Sequence, residues 1–576
     1  MALIIRAPET LPLGSPLPPG DEHAISVHLP TWTDTVGWAS HDPRVVNVMK
    51  TGYPRFFVPR VVDRLVQKMV EGTSFTWSSG LGMAFASNRY RTMCYEFLLK
   101  QPDAVEADIS IFDWHWEEEA DTDPGEGKNT LYTILFPQNM YGAAKAFWQH
   151  TGYGISSRRA EFWLESAPSL NPRADEITPL EDRFHKSHGE NARHNIIQRI
   201  ADGQSTPSLR VLREDIFLYQ SGMTAITEAA TAIRDALCSS QPGKPCVMVI
   251  YGFLYVDTFK VLKDVLDLEA TMHKYTPSEI DGLEARLETG TQIDALFTEF
   301  PGNPLLQAPD LDRLHQLSRK HGFVLVVDDT VGTYVNVNLM PVCDVVCTSL
   351  SKMFSGACNV MGGSVVLSPT SPHRDTLRSA LLDIERQTDE REDDDTEGDE
   401  MEDQYRKYES GICFYKDVIV LEENSRGFRD RVTRANGIAL SVVRQLRAYP
   451  SVVRVVYYPL GSPTQGIYDR FIRQGDGYGF LLSIKFVTPG AAAAFYDALD
   501  VAKGPSLGTN FTLCCAYTLL AHYRELGQAA GYGVFEHLVR ISVGLEGEEW
   551  LRGRVEKAMM AAESRVWLEF LEGQGS

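Results

Sequence analysis

From about residue 205 onward, short apolar runs alternate with stretches whose apolar residues recur at helical spacing. Cys246-Val-Met-Val-Ile250 predicts a buried strand ending at Tyr251-Gly252. Ile293-Asp-Ala-Leu-Phe-Thr298 predicts another, ending at Glu299-Phe-Pro-Gly-Asn-Pro304. Phe323–Val327, Val342–Cys347 and Ser364–Leu367 supply three more. Between them Leu311–His321 places Leu311, Leu314 and Leu317 on one helix face and stops at Gly322. Ala225–Leu237 reads as a further helix, preceded by Tyr219-Gln-Ser-Gly-Met-Thr224. Strand, helix, strand in this rhythm predicts an α/β fold with a mostly parallel sheet covered on both faces. Ligands of such sheets sit outside the carboxyl ends of the strands. That rim gathers Tyr251, Asn303, Asp328 and the segment after Cys347.

The rest of the chain is patterned differently. Residues 1–30 are rich in Pro and Gly and read as extended, and 30–190 mix aromatic-rich helical stretches with polar loops. No repeat of fixed period is present. The expected organisation is an N-terminal extension and arm (1–190), a cofactor-binding domain (191–385), an acidic insertion (386–404) and a smaller α+β C-terminal domain (405–576).

Composition changes this picture in three places. No apolar run in the 576 residues reaches the roughly 18 that a membrane span needs, and Met1–Arg6 lacks the pattern of a secretory signal. The expectation is therefore a cytoplasmic protein with no membrane partner. Nine cysteines in so long a chain do not suggest a disulfide framework. Neither Cys343 with Cys347 nor Cys514 with Cys515 belongs to a cluster of metal-ligand spacing, so no metal is expected. The net charge is −22; Asp389–Asp403 holds eleven acidic residues and one Arg, a self-repelling run expected to be disordered. The remainder is still acidic, which argues against nucleic acid.

The rim carries unusual chemistry. Asp328 ends a run of five apolar residues, where a carboxylate is costly without a positive partner. Lys352 follows two hydroxyls, Ser349 and Ser351, that can donate to an anion. Gly222 and Met223 open a helix, whose N–H groups can hold a phosphate. A phosphate cradle, a buried acid, an aromatic residue and a lysine are the set that pyridoxal phosphate (PLP) requires. On pattern alone, a nucleotide-binding α/β enzyme remains the alternative.

Six segments resemble, in order, the trans-sulfuration (Cys/Met metabolism) family of PLP-dependent enzymes. They are Tyr219-Gln-Ser-Gly-Met, Tyr251-Gly252, Glu299-Phe-Pro-Gly-Asn-Pro-Leu305, Val327-Asp-Asp-Thr330, Ser349-Leu-Ser-Lys352 and Met361-Gly-Gly363. Ser506-Leu-Gly-Thr-Asn510 and Leu538-Val-Arg-Ile-Ser-Val-Gly-Leu-Glu546 extend the likeness, so that it covers roughly 205–560. Leu29-Pro-Thr-Trp32, Gly52-Tyr-Pro-Arg-Phe-Phe57, Gly154-Ile-Ser-Ser-Arg158 and Phe354-Ser-Gly356 resemble the fungal cystathionine γ-synthase branch.

The resemblance implies PLP fold type I and a role for each site residue. Lys352 would carry the cofactor as a Schiff base and shuttle protons. Asp328 would pair with the pyridine nitrogen. Tyr251 would stack on the ring and act as a base, and Asn303 would sit near the ring hydroxyl. Gly222, Met223, Ser349 and Ser351 would hold the phosphate. Arg540, helped by Ser506, would grip the substrate carboxylate. A homodimer or homotetramer is implied, with small-molecule amino-acid substrates. The family's Asp-Asn-Thr is Asp328-Asp329-Thr330 here, and a hydroxyl-preserving Ser351 stands where Thr is frequent. Two places compete for the family's phosphate-binding Tyr-x-Arg: Tyr53-Pro-Arg55 and Ser156-Ser-Arg158. The implied reaction is γ-replacement on an O-acylated homoserine with cysteine as nucleophile. One alternative is a natural-product γ-substitution with a carbon or amine nucleophile on the same vinylglycine-type intermediate. The other is a catalytically inactive regulatory homologue.

Overall fold

The structure, a computed structural model, describes residues 11–52, 57–71, 80–117, 128–167, 179–238, 245–389, 413–473 and 477–574. Tyr53, Arg55 and nearly all of the acidic run lie outside these residues. The chain enters through a short ladder, β1 (Pro16–Leu17) against β2 (Ser26–Val27). An antiparallel sheet follows, β3 (Gly80–Phe85), β4 (Ser110–Glu117) and β5 (Lys128–Pro137), with β5 in the centre. Helices Arg60–Glu71, Asn88–Leu99, Tyr141–Thr151 and Ser157–Ser166 accompany it. The stretch that mixes aromatic-rich helices with polar loops thus carries a sheet of its own.

The central sheet has seven strands: β6 (Ile216–Tyr219), β7 (Val247–Tyr251), β8 (Glu269–His273), β9 (Ala295–Glu299), β10 (Val324–Asp328), β11 (Val345–Ser349) and β12 (Gly363–Leu367). Their order is β6-β12-β11-β10-β9-β7-β8. Strands β8, β7, β9, β10 and β11 are parallel, and β12 runs against its two neighbours β11 and β6. Side chains alternate between the faces, and both faces are buried. Met248, Ile250, Phe297, Val324, Val326 and Cys347 join one core, while Val249, Tyr251, Leu296, Leu325 and Val327 join the other. The first face is covered by the helix Gly222–Ile233, the second by helices that include Leu311–His321 and Pro277–Glu288.

Two predicted elements start three residues away from the expected position. The helix expected at Ala225 starts at Gly222, because the Ser221 hydroxyl caps it by accepting from Thr224 N at 3.0 Å. The strand expected from Val342 starts at Val345: Met340–Val342 form a 3-10 turn, and the Asp344 carboxylate takes the Leu325 N–H at 2.8 Å. The helices Pro179–Gln204 and Arg374–Asp389 run through positions 190 and 385, so the chain passes the expected domain boundaries inside helices. One pair of cysteines, Cys238 and Cys246, is joined as a disulfide, and Asp294 lies beside it. No helix among the described residues is long and apolar enough to cross a membrane.

The C-terminal sheet is β13 (Val453–Tyr457), β14 (Leu481–Phe486), β15 (Ala502–Lys503), β16 (Leu513–Ala516) and β17 (Leu538–Ser542), in the order β13-β14-β17-β16-β15. Helices Phe428–Arg447, Pro489–Ala498 and Glu548–Gln574 share a core with it, into which Val539 and Ile541 of β17 point. Arg540 lies between those two and therefore faces the opposite way, toward the central sheet. The N-terminal unit also touches the site's scaffold. Arg89 pairs with the fully buried Glu228 at 2.7 Å, and the carbonyl of Gly152 accepts from Thr224 Oγ1 at 3.0 Å and Gln220 Nε2 at 2.8 Å.

Candidate active site

Three neighbouring strands end on one point. Glu299 of β9 shares its face with Phe297, Asp328 of β10 with Val326, and Ser349 of β11 with Cys347. All three belong to the side covered by Gly222–Ile233, and Asp328 is in register with Glu299. They open into a cleft of about 1000 Å³, counting its solvent-open mouth, that also holds Gly222, Met223, Ser351, Lys352, Asn303 and Arg540. Apart from Glu299, sequence reasoning placed these residues on one rim or implied them by resemblance; the structure brings them into one cleft.

The carboxylates are poorly solvated. Burial, reinforced by the Asp328 charge, pushes the Glu299 carboxyl up to about 8. Its two oxygens accept the backbone N–H groups of Tyr255 at 2.6 Å and Asn303 at 2.9 Å. Burial also raises Asp328, against the opposing hydrogen bond from Thr330 N at 2.8 Å. Asp329 points the other way: Thr348 Oγ1 and Gln204 Nε2 donate to it, and burial lifts it to about 7. The doubled acid therefore splits across the sheet, and only Asp328 faces the cleft.

Lys352 is 8 % exposed and its Nζ lies 3.4 Å from Ser506 Oγ. The backbone after Ser506 packs against it. A Cβ on Gly508, whose φ is +68°, would lie 2.5 Å from Met353 N and 3.0 Å from Lys352 C, so a glycine is needed there for both space and conformation. Ser349 N donates to Thr330 Oγ1 at 2.8 Å. The Ser351 hydroxyl is engaged with the backbone of Gly362, accepting from its N–H at 3.0 Å. Ser351 thus holds the turn that presents Lys352, in addition to bordering the cleft.

Tyr251 needs correction. It shares parity with Val249 and packs in the core on the opposite face of the sheet. Its ring lies 5.3 Å from that of Tyr275, and its hydroxyl donates to Thr276 O at 3.4 Å. Tyr255, four residues on, borders the cleft instead. Sequence reasoning also passed over Glu299, Thr330, Tyr517, Leu520 and Ala521 as lining residues. Counting parity from Phe297 would have found Glu299; the helix Tyr517–His522 carries no comparable signal.

Arg540 is 3 % exposed and sits among neutral oxygens. It donates to Asn303 Oδ1 at 3.1 Å, Pro505 O at 3.1 Å and Ser506 O at 3.0 Å. Glu546, the acid at the end of the same segment, accepts instead from Thr512, whose N and Oγ1 donate at 2.6 and 2.8 Å. Arg158 donates to Asn359 O at 2.7 Å and pairs with Asp417 at 3.1 Å, away from this chain's cleft.

The residues fit PLP on three counts. A Cβ on Gly222 would lie 2.7 Å from Ser349 Cβ, so glycine keeps the space at the helix N-terminus. Asp328 is a half-buried acid facing the cleft, with no ion-pair partner among the described residues, suited to a pyridinium nitrogen. Lys352 is a buried amine at the same cleft. This sheet and site define a PLP-dependent enzyme of fold type I.

The comparisons with known proteins make the assignment specific. Residues 212–560 match the Cys/Met metabolism PLP-dependent enzyme family and residues 59–156 the fungal trans-sulfuration enzyme N-terminal domain. The chain belongs to that PLP-dependent family. It is 34% identical to a cystathionine gamma-synthase of Neurospora crassa, over 96% of this chain and 99% of the relative. It is 35% identical to the cystathionine gamma-synthase-like protein ankD of Aspergillus thermomutatus, over 96% and 95%. A solved cystathionine gamma synthase from Xanthomonas oryzae pv. oryzae aligns over 61% of this chain and 82% of its own, at 20% identity and a TM-score of 0.49.

Proposed function

We propose that the protein catalyses γ-replacement on an O-acylated homoserine, with cysteine as the nucleophile. The observation that carries the reading is Arg540: a buried guanidinium with only neutral partners, in the same cleft as Lys352 and Asp328. Such a cation suits an incoming α-carboxylate, which it can grip through two N–H groups. PLP, when bound, supplies an electron sink for negative charge at the α-carbon of an amino acid.

The chain's own groups take the following parts. Lys352 would hold the cofactor covalently until the substrate amine displaces it; its freed Nζ would then be placed to take the α-proton and to move a proton at the β-carbon, as the acyloxy group leaves the γ-carbon. Asp328 would keep the ring nitrogen protonated. The N–H groups of Gly222 and Met223, with Ser349, would hold the phosphate. Asn303 would sit near the ring hydroxyl, and Ser506, 3.4 Å from Lys352 Nζ, would orient that amine beside the carboxylate site. Leu507, Leu520 and Ala521 make an apolar wall that excludes water. Tyr255, which borders the cleft, would stack on the ring in place of Tyr251. Tyr255→Ala should therefore weaken cofactor retention by roughly 2–10-fold, the worth of a ring stack. Tyr251→Phe should leave retention unchanged; equilibrium dialysis of the two variants decides between the tyrosines.

The test of function is the holoenzyme with an O-acylated homoserine and a panel of nucleophiles, read by mass spectrometry. Cystathionine formed from cysteine is the expected product. The likeness to ankD, as high as that to the synthase, together with the apolar wall, favours a second reading: a carbon or amine nucleophile in a natural-product pathway. A product with such a nucleophile and none with cysteine would select it. An O-acylated homoserine left unconsumed under every condition would defeat both.

A further inference from the structure

Arg540 is the first member of a chain of hydrogen bonds that leaves the cleft through the helix Tyr517–His522. Arg540 Nη1 donates to Asn303 Oδ1 at 3.1 Å, and Asn303 Nδ2 donates to the Tyr517 hydroxyl at 3.4 Å. The Tyr517 hydroxyl lies 3.5 Å from His522 Nε2, and His522 Nδ1 lies 3.1 Å from Glu525 Oε1. The directions of these bonds are mutually consistent. Glu525 is held below its ordinary range first of all by the bond from His522, with further help from Lys260 and against Asp257, so it is an ionised acceptor. Nδ1 of His522 must then carry the proton. With the imidazole neutral, Nε2 accepts the phenol proton, and the phenol oxygen is left to accept from Asn303. Every group donates to the next, from guanidinium to carboxylate.

This sequence fixes two things that the cleft needs. It sets the amide of Asn303, since a flipped amide would turn Nδ2 toward the Arg540 N–H groups, donor against donor. The set orientation presents Oδ1 to Arg540 and leaves the second Nδ2–H for the cleft. It also clamps the guanidinium from a second side, because Arg540 Cζ lies 4.9 Å from the centre of the Tyr517 ring. Tyr517 and His522 are each 4 % exposed, and the ring of His522 packs 4.9 Å from that of Phe253. The same helix contributes Leu520 and Ala521 to the wall of the cleft.

We propose that Tyr517 is a positioning residue for the Arg540–Asn303 pair, held in place from behind by His522 and Glu525. The proposal rests on the reading of Arg540 as the α-carboxylate anchor. It predicts that the chain acts on recognition of the carboxylate and not on the chemistry at the γ-carbon. A neutral hydrogen bond removed from such a network should show as a loss of roughly 5–10-fold in affinity.

The experiment uses holoenzyme and two probes that do not turn over: L-homoserine and 3-amino-1-propanol, the same skeleton without the carboxylate. Binding is measured by calorimetry, with cofactor content read in parallel. Tyr517→Phe keeps the ring over Arg540 and removes the hydroxyl. It should weaken L-homoserine roughly 5–10-fold, leave 3-amino-1-propanol unchanged, and raise KM for the O-acylated substrate with kcat unchanged. Arg540→Lys, measured alongside, should weaken L-homoserine by more than ten-fold, since a point charge does not reproduce the planar fork. If Arg540→Lys has this effect and Tyr517→Phe has none, or if Tyr517→Phe weakens both probes equally, the positioning role is wrong and the anchor stands. If Arg540→Lys leaves L-homoserine binding intact, the anchor reading itself fails. Should Tyr517→Phe purify without cofactor, His522→Gln, which keeps the phenol, carries the same comparison.

Discussion

Replacing Lys352 with Ala is expected to abolish covalent cofactor attachment and to cut turnover by at least about 10²–10⁴-fold, the range for loss of a positioned acid–base group. The argument is local. Lys352 is one of the few buried amines among the described residues and stands just beyond the end of β11, in the cleft shared by Asp328 and Glu299. Its backbone is fixed from both sides: Lys352 N donates to Ser349 O at 3.3 Å, and Gly356 N donates to Lys352 O at 2.8 Å. No other lysine lines the cleft among the described residues, so none can substitute. The purified protein should be yellow. Borohydride should remove the band and, after trypsin, leave the pyridoxyl label on the peptide that contains Lys352. Label on a different peptide, or a Lys352→Ala protein that retains the reducible band, would overturn the assignment.

Much of this site was legible because parallel strands buried on both faces spell themselves as apolar runs, and their ends are where ligands bind. Phe323–Val327 and Cys246–Ile250 were readable for that reason, and Asp328 followed as the polar residue that ends one of them. Edge strand β8, Glu-Ala-Thr-Met-His, is half-exposed and carries no such run, so nothing in its pattern set it apart. Tyr251 shows the opposite failure. Its place at the end of an apolar run put it on the rim, but the face it occupies depends on a single step of parity, and that step turns it away from the cleft. Residues delivered by the C-terminal unit, such as Tyr517 and Leu520, follow from how two sheets pack, which no local pattern encodes. Resemblance reached Arg540 and Ser506 across that gap because their segments are themselves distinctive.

Asp328 should be the most sensitive position after Lys352. The sequence offers two adjacent acids, and the structure separates them: Asp328 faces the cleft, while Asp329 is tied on the far side by Thr348 and Gln204. Both are raised by burial, so neither gains from being charged unless a cation arrives. For Asp328 that cation would be the protonated ring nitrogen, which in turn is what lets the ring accept electrons. Asp328→Asn keeps the shape and removes the charge. It should fold, retain cofactor through Lys352 and the phosphate contacts, and lose roughly 10²–10³-fold or more in turnover, as when one preorganised electrostatic partner is deleted. Asp329→Asn should stay within a few-fold of the parent, because its carboxylate is on the wrong side of β10 to reach the ring. Cofactor content and turnover, measured on both variants, separate the two acids. A cofactor-loaded Asp328→Asn enzyme with near-parent turnover, paired with a crippled Asp329→Asn, would transfer the role to Asp329 and show that the end of β10 turns over when the cofactor binds.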